Sequence, residues 1–319
     1  MNNTFDEIAK KFNEAKRIAI FCHARPDGDA LGSGLALCVA LENLGKKAYM
    51  CCEDAPPEKF LFNPSIGKVR NEPPNLDYDI LVSVDCADVS RMGVFAKRYK
   101  KFKKTTINID HHISNDGYGK LNYVRECSAS CEIMTEFLVS AGYEITEEIA
   151  NLLMLGLITD SGNFTHQDVT ENTFKIAAHL RACGADVNLI NYNMYARQTK
   201  ARALLYGRVI KNMKFTLDDK LAYIVISEKE MVECGADKSL TEGFVDFPLT
   251  VDGVEVSVSI LEYKNNQYKV SLRSKGKVNV NTIAGEFGGG GHILASGCML
   301  FGELEEVIER LKFAVSQNL

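Results

Sequence analysis

The chain has no excess of positive charge: 37 Lys and Arg stand against 42 Asp and Glu, a formal net charge of -5. With that balance a broad basic surface for gripping long duplex nucleic acid is not expected, while a small anionic ligand bound locally remains compatible. No secretory leader is expected either. The opening residues, MNNTFDEIAKKFNEAKR, are polar and mixed in charge, without the apolar centre that a signal peptide needs. The longest apolar run, around Leu152–Ile158, falls well short of the roughly 20 residues that cross a bilayer. A cytoplasmic protein that does not enter the membrane is the expectation. Ten cysteines occur without any CxxC pair, and Cys127–Cys131 has no histidine at zinc-finger spacing. Cys22, Cys38, Cys86, Cys183 and Cys298 lie in apolar segments, as buried free thiols do in a reducing compartment. Internal repeats and low-complexity segments are also absent.

What is present is an ordinary globular composition, 46% hydrophobic and 25% charged over 319 residues, enough for two cores. The first half alternates short β-rich runs with helical stretches. RIAIFCH (Arg17–His23), KAYMCC, DILVSVD (Asp79–Asp85) and TTINID (Thr105–Asp110) read as strands. LGSGLALCVALENLG reads as a helix ending at Gly45, with further helices near Cys131–Ala141, Glu147–Ile158 and Asn172–Ala182. This is an α/β pattern: a parallel sheet with helices on both faces. From about Asn193 to Lys211 the chain is polar and helix-prone, a linker helix. Beyond it KLAYIVIS, VEVSVSILEY and QYKVSLRS, the last two joined by a turn at Lys264–Asn266, give denser strands. A helical Ile283–Phe287, the run GGGG and an amphipathic Leu304–Val315 complete a smaller mixed α+β domain. The expected organisation is a first domain over 1–192, a linker over 193–211 and a second domain over 212–319, with a cleft between the domains.

The chemistry-bearing residues fall at strand ends. HARPDGDALGS follows the first strand and supplies His23, Asp27 and Asp29. Asp85 closes the third strand, Asp110, His111 and His112 close the fourth, and Asp160 follows NLLMLGLIT. In an open parallel sheet the carboxyl ends of the strands share one edge, where ligands bind. Carboxylates so crowded raise one another's pKa unless a positive charge sits among them, and divalent ions are the economical answer. Mixed imidazole and carboxylate donors suit a first-row metal better than calcium, and the lack of nearby thiolates disfavours structural zinc. Six donors exceed what one ion with open positions needs, but fit two ions sharing a carboxylate. Such a pair serves in-line displacement at phosphorus, hence hydrolysis of a phosphate ester or anhydride. Taken singly, an aspartate at a strand end is usually a helix cap or turn residue. Four such coincidences at four successive strand or helix ends are what the bland reading requires. The run KRYKKFKK (Lys97–Lys104), six charges in eight residues, reads as the solvated face of the helix joining the third and fourth strands.

DHH at 110–112, HARPDGD at 23–29, VDCAD at 84–88 and GLITDSGNF at 156–164 together resemble the DHH phosphoesterase superfamily. SLRSKGKVNVNTIAGEFGGGGH (271–292) resembles its DHHA1 partner module, and the order of motifs resembles the nanoRNase branch. That branch degrades very short oligonucleotides and dephosphorylates 3'-phosphoadenosine 5'-phosphate (pAp). The resemblance implies two manganese ions. His23, Asp27 and Asp85 would hold one, and Asp29, Asp85, His111 and Asp160 the other, with Asp85 the bridge. His112 would face the substrate phosphate as anchor or acid, and Asp110 would orient a histidine. Arg273, Ser274, Gly288, Gly289, Gly290, Gly291 and His292 would bind the nucleotide's terminal phosphate and base side. Ser161 stands where relatives often carry Thr, and the hydroxyl is kept. The implied substrates are short single-stranded RNA or DNA, dinucleotides and pAp, and a homodimer is compatible with the pattern. Rival readings on the same core are a phosphodiesterase for cyclic di-AMP or for its linear product pApA, and a nucleotide sensor without catalysis. The GGGGH-type second domain argues against a family II pyrophosphatase.

Overall fold

Short β-branched runs, each followed by a turn and a helical stretch, fold in the first half into the parallel sheet such patterns specify. The computed structural model describes residues 2–264 and 266–319. The chain divides into two units, Met1–Arg197 and Gln198–Leu319.

The first unit runs α1 (Phe5–Glu14), β1 (Arg17–Phe21), α2 (Gly28–Asn43), β2 (Lys47–Cys51), β3 (Ile80–Val84), α3 (Ala96–Lys101), β4 (Thr105–Asp110), β5 (Leu121–Val124), α4 (Ser130–Ser140), α5 (Glu147–Asp160), α6 (Glu171–Ala182) and α7 (Val187–Asn191). Its sheet has the order β2-β1-β3-β4-β5 and every pairing is parallel. Successive side chains of a strand point to opposite faces. Ile18, Ile20, Val82, Val84, Ile107 and Ile109 therefore enter the core shared with α2, α4 and α5. Ala19, Phe21 and Leu81 instead meet Tyr78, Met92, Phe95 and Tyr99 on the other face. Both faces are covered, as the apolar runs require.

Three details differ from the sequence reading. The edge strand β5 is four residues long and only half-buried, too short to show a period. The lysine-rich stretch is α-helical only over Ala96–Lys101. The 3-10 segment before it, Val89–Phe95, breaks at Gly93, whose φ is 59°. Asp160 belongs to the last turn of α5 rather than following it.

Helices α2 and α5 touch because both carry glycine at the crossing. A Cβ on Gly32 would stand 2.4 Å from the Leu152 carbonyl oxygen. One on Gly156 would stand 2.3 Å from Cys131 Sγ and 2.8 Å from Asp29 Oδ1. Backbones that close cannot accommodate a side chain between them. The crossing sets Asp29 on α2 against the turn of α5 that leads to Asp160.

The second unit runs α8 (Lys200–Lys211), β6 (Lys214–Thr216), β7 (Leu221–Ile226), α9 (Glu228–Cys234), α10 (Asp246–Leu249), β8 (Val256–Lys264), β9 (Gln267–Ser274), α11 (Val280–Glu286), β10 (Gly290–Gly291), β11 (Ala295–Phe301) and α12 (Leu304–Ser316). Its sheet has the order β10-β11-β9-β8-β7-β6; β7 and β8 are parallel and the remaining pairs antiparallel. Val256, Val258, Ile260, Val270 and Leu272 pack with Ile283, Val307 and Leu311 as its core. The stretch read as one linker helix holds a π-helical turn at Tyr192–Ala196 and then α8. Thr199 caps α8 by accepting the Arg202 amide, which starts the helix at Lys200. The turn expected at Lys264–Asn266 includes Asn265, which lies outside the described residues. Among the described residues no helix is long and apolar enough to cross a membrane, and the ten cysteines are free thiols.

Candidate metal centre

The three central strands of the first sheet deliver their next residues to one edge. β1 ends at Phe21 with His23 two residues on, β3 is followed at once by Asp85, and β4 ends on Asp110 with His111 and His112 after it. Asp85 has a φ of 49°, and Arg25, between His23 and Asp27, has 55°. Left-handed backbone at non-glycine residues costs about 1–3 kcal/mol and persists where the surroundings impose it. At Asp85 the amide is held by the Ile109 carbonyl, at 3.1 Å. The Arg25 amide is held by Asp54, at 2.8 Å.

Asp27 is the cap of α2: its Oδ1 accepts the amides of Asp29 and Ala30, at 3.1 and 3.0 Å. The bland and the chemical readings of this residue are therefore both true, since Oδ2 lies 3.4 Å from His23 Nε2. Asp29 is fully buried and accepts the amides of Ser130 and Cys131, at 2.5 and 2.9 Å, from the first turn of α4. A helix N-terminus favours that negative charge. Asp85 Oδ1 accepts the Ser130 hydroxyl at 3.0 Å.

Three groups of possible metal donors result: His23, Asp27 and Asp85; Asp29, His111 and Asp160; and Asp85, His111 and His112. Asp85 Oδ2 stands 3.6 Å from His23 Nε2 while its Oδ1 stands 3.4 Å from His111 Nε2, so one carboxylate faces both sides. His111 Nε2 is also 3.4 Å from Asp160 Oδ2. All six residues expected as ligands are thus brought together. His112 lies beside them, its Nδ1 2.8 Å from Asp110 Oδ1, and Asn115 donates to the other Asp110 oxygen at 2.6 Å. Asp110 orients His112, and the rings of His111 and His112 pack edge-on at 4.5 Å.

The donor spacing suits an ion. Ligands 2.0–2.2 Å from a common centre stand about 3.0–3.5 Å apart, close to the separations just given and long for direct hydrogen bonds. The outer nitrogens of both ligand histidines are already committed. His23 Nδ1–H donates to the Ala24 carbonyl at 2.8 Å and His111 Nδ1–H to that of Cys127 at 2.9 Å, which leaves Nε2 as the inward donor. The electrostatics agree. Burial opposes charging His23, yet Asp27 and Asp85 outweigh it and lift the imidazole to about 10. His111 is likewise pushed up to about 9, burial being overcome by Asp29, Asp85 and Asp160. Burial and then the Asp85 and Asp160 charges hold the Asp29 carboxyl well above the carboxylate range. Burial raises Asp160 to about 6, against the pull of His111 and with Asp85 and Asp27 adding to it. Protons collect where the carboxylates need a cation. Asp110 is the exception: burial pushes it up, but hydrogen bonds from His112 and Asn115 hold it below the usual range.

The expected phosphate-binding residues lie in the second unit. Arg273 sits near the end of β9, directly across from Ala295 on β11. Its Nε donates to Asp246 Oδ1 at 3.0 Å and its Nη1 to the Leu272 carbonyl at 3.1 Å. Ser274 is buried, and its hydroxyl oxygen accepts the Gly276 amide at 3.0 Å. Gly288 and Gly289 precede β10, and Gly290 and Gly291 form it. A Cβ on Gly291 would meet the Ala295 carbonyl at 2.5 Å, with φ at 153°, so the tight hairpin itself demands glycine there. His292 is exposed beyond it, its amide bonded to the Ala295 carbonyl.

Sequence reasoning missed four contributors. Ser130, Asn115 and Asp246 are ordinary polar residues with no motif around them. His166 lies in none of the motifs, yet its Nδ1–H donates to the Asp160 carbonyl at 2.8 Å. The run Lys97–Lys104 stays apart from the site. Lys104 immediately precedes β4, whose opposite end carries Asp110, and it pairs with Asp77 at 2.7 Å.

The first unit matches the DHH family, N-terminal domain, over residues 17–157, and the second matches the DHHA1 domain over 218–318. The chain belongs to the DHH/DHHA1 phosphoesterases. Within them it is 34% identical to the bifunctional oligoribonuclease and PAP phosphatase NrnA of Thermus thermophilus over 309 residues, which covers 95% of this chain and 90% of that protein. It is 26% identical to the Bacillus subtilis NrnA over 300 residues, 92% of this chain and 93% of that one. The crystal structure of an exopolyphosphatase-related protein from Bacteroides fragilis superposes with a TM-score of 0.83 at 28% identity, covering 98% of this chain and 95% of that one.

Proposed function

We propose that this protein is a cytoplasmic, manganese-dependent phosphodiesterase that degrades very short oligonucleotides to mononucleotides and hydrolyses pAp to AMP and phosphate. The observation that carries the reading is Asp85, one carboxylate facing His23 on one side and His111 on the other. The two named NrnA relatives, similar over most of their length, support the substrate class. His23, Asp27 and Asp85 would hold one divalent ion; Asp29, Asp85, His111 and Asp160 the other. When bound, such a pair supplies Lewis acidity at phosphorus and a water acidic enough to attack at neutral pH.

The chain's own groups do the rest. Asp110 accepts from His112 Nδ1–H, which fixes the tautomer and leaves Nε2 without a protein partner among the described residues. That nitrogen is placed to anchor the phosphate or protonate the leaving oxygen. Arg273, held by Asp246, offers its remaining guanidinium hydrogens to a terminal phosphate. Ser274, Gly288–Gly291 and His292 flank it and take the base side.

Initial rates with manganese on a diribonucleotide, a five-nucleotide RNA, pAp and cyclic di-AMP test the reading. Fast turnover of the short RNAs with slower pAp hydrolysis is expected. Preference for cyclic di-AMP would make this a second-messenger enzyme instead, and binding of all four without turnover would make it a sensor.

A further inference from the structure

The second unit carries a polar pocket of which the proposed reaction uses only Arg273. Its volume is about 400 Å³, and its wall includes Lys238, Thr241, Ser259, Lys269, Ser271 and Arg273. The row originates in strand geometry. Lys269, Ser271 and Arg273 alternate along β9 with Tyr268, Val270 and Leu272, which face the opposite way into the core. Ser259 of β8 stands directly across from Ser271. Lys238 arrives from the 3-10 turn Lys238–Thr241, its ammonium 3.9 Å from the centre of the Tyr263 ring and donating to the Tyr263 carbonyl.

Several of these donors are unspent. Among the described residues no carboxylate lies within ion-pair distance of Lys238 or Lys269, and the hydroxyls of Ser259 and Ser271 bond to no protein group. Ser259 is only 7% exposed, so its hydroxyl opens on the pocket rather than on bulk water. Glu242 lines the wall and Asp246 pairs with Arg273, so two carboxylates stand against three cations and one positive charge is in excess. A cavity of net positive charge with free donors on its floor calls for an anion.

The shape of that anion follows from two further facts. Lys269 and Arg273 are four strand residues apart, about 13 Å, more than one phosphate group spans. No aromatic ring lines the wall, so the stacking surface on which single-stranded nucleic acid is bound is missing. These two facts favour a chain of anionic groups over a stacked base. We infer that this pocket receives a run of phosphates continuing past the phosphate held by Arg273, so that the protein accepts nucleotides with a polyphosphorylated end. The inference rests on the proposed role of Arg273 as the terminal-phosphate ligand. The same chemistry is met by free polyphosphate, which the experiment separates.

Inorganic triphosphate is titrated into the full chain by calorimetry. KM is then measured for pppApA and pApA, the same dinucleotide with a 5'-triphosphate or a 5'-monophosphate. The comparison uses the parent, K269E and K269Q, with K214E as a charge-matched change on exposed Lys214 outside the pocket. Triphosphate binding should weaken about tenfold in K269E, and less in K269Q, with K214E near the parent. The KM of pppApA should rise by a similar factor while that of pApA stays within about twofold. Binding of free triphosphate without a KM difference between the two dinucleotides would assign the pocket to free polyphosphate and overturn the inference. Equal effects of K269E on both dinucleotides, or none on triphosphate binding, would overturn it as well. Triphosphate binding lost in K269E with no turnover of any dinucleotide would refute the proposed reaction and leave the pocket's ligand class standing.

Discussion

Placing a methyl group at Gly156 tests whether the metal site depends on the close crossing of α2 and α5. In Gly156→Ala the new Cβ would lie 2.3 Å from Cys131 Sγ, 2.8 Å from Asp29 Oδ1 and 2.9 Å from Asp29 Cα. Ordinary contact begins near 3.4 Å, so α5 must retreat by about 1 Å or the Asp29 carboxylate must turn away. Overpacking of this severity costs about 3 kcal/mol, against a gain of about 1 kcal/mol from replacing a helical glycine by alanine. A net loss near 2 kcal/mol should lower the melting midpoint of the metal-free protein by about 4–8 °C. The functional consequence is larger. Asp29 is wedged between the α4 amides and the other candidate donors, so its displacement should weaken manganese binding about 10- to 100-fold by calorimetry. Gly207, helical with open space around it, is the control: Gly207→Ala should be neutral or stabilise by about 1 kcal/mol without changing metal affinity. A Gly156→Ala protein with parental midpoint and parental manganese affinity would refute the close-packing argument.

Further outcomes follow from the same geometry. Asp85→Ala should abolish turnover, because it strips a donor from both halves of the cluster; initial rates within tenfold of the parent would sink the shared-carboxylate assignment. The metal-free protein should lose stability at alkaline pH. His23 and His111 are raised to about 10 and about 9 from 6.5, so their contribution is complete below about 6.5 and disappears as pH rises through those values. Urea midpoints at pH 7 and pH 10 should therefore diverge in EDTA and converge in manganese, where the histidines are neutral donors. Asp246→Asn should raise the KM for pAp several-fold with kcat little changed, because Arg273 loses the carboxylate that aims it. A fall in kcat alone would place Arg273 in the transition state.

The legible part of the site was local. HARPDGD, Asp85, DHH and Asp160 are each short segments in which donor types recur at strand or helix ends, and a parallel sheet lines those ends up wherever its strands lie in the order. The helical and strand periods were readable where apolar runs were long, as in α2, α5 and β8. They failed at β5, a half-buried edge of four residues, and at Ala96–Lys101, where the break at Gly93 cuts the helix short. The supporting partners were not readable. Ser130 reaches Asp85 across 45 residues, Asp29 takes its amides from 101 and 102 residues away, and Asp246 meets Arg273 across 27. No local pattern encodes such pairs.

By itself, the amino-acid sequence determined the donor inventory, the α/β alternation and the two-part organisation, because these depend on residue type and on spacing within a few turns of chain. Only the tertiary structure decided which nitrogen of each histidine is free, since the carbonyls of Ala24 and Cys127 and the carboxylate of Asp110 claim the others. It also decided that the glycines near Gly291 serve a tight hairpin, and that Lys269, Ser259 and Ser271 open on one cavity. Those outcomes depend on which distant backbones approach one another, and that is settled by the packing of whole elements.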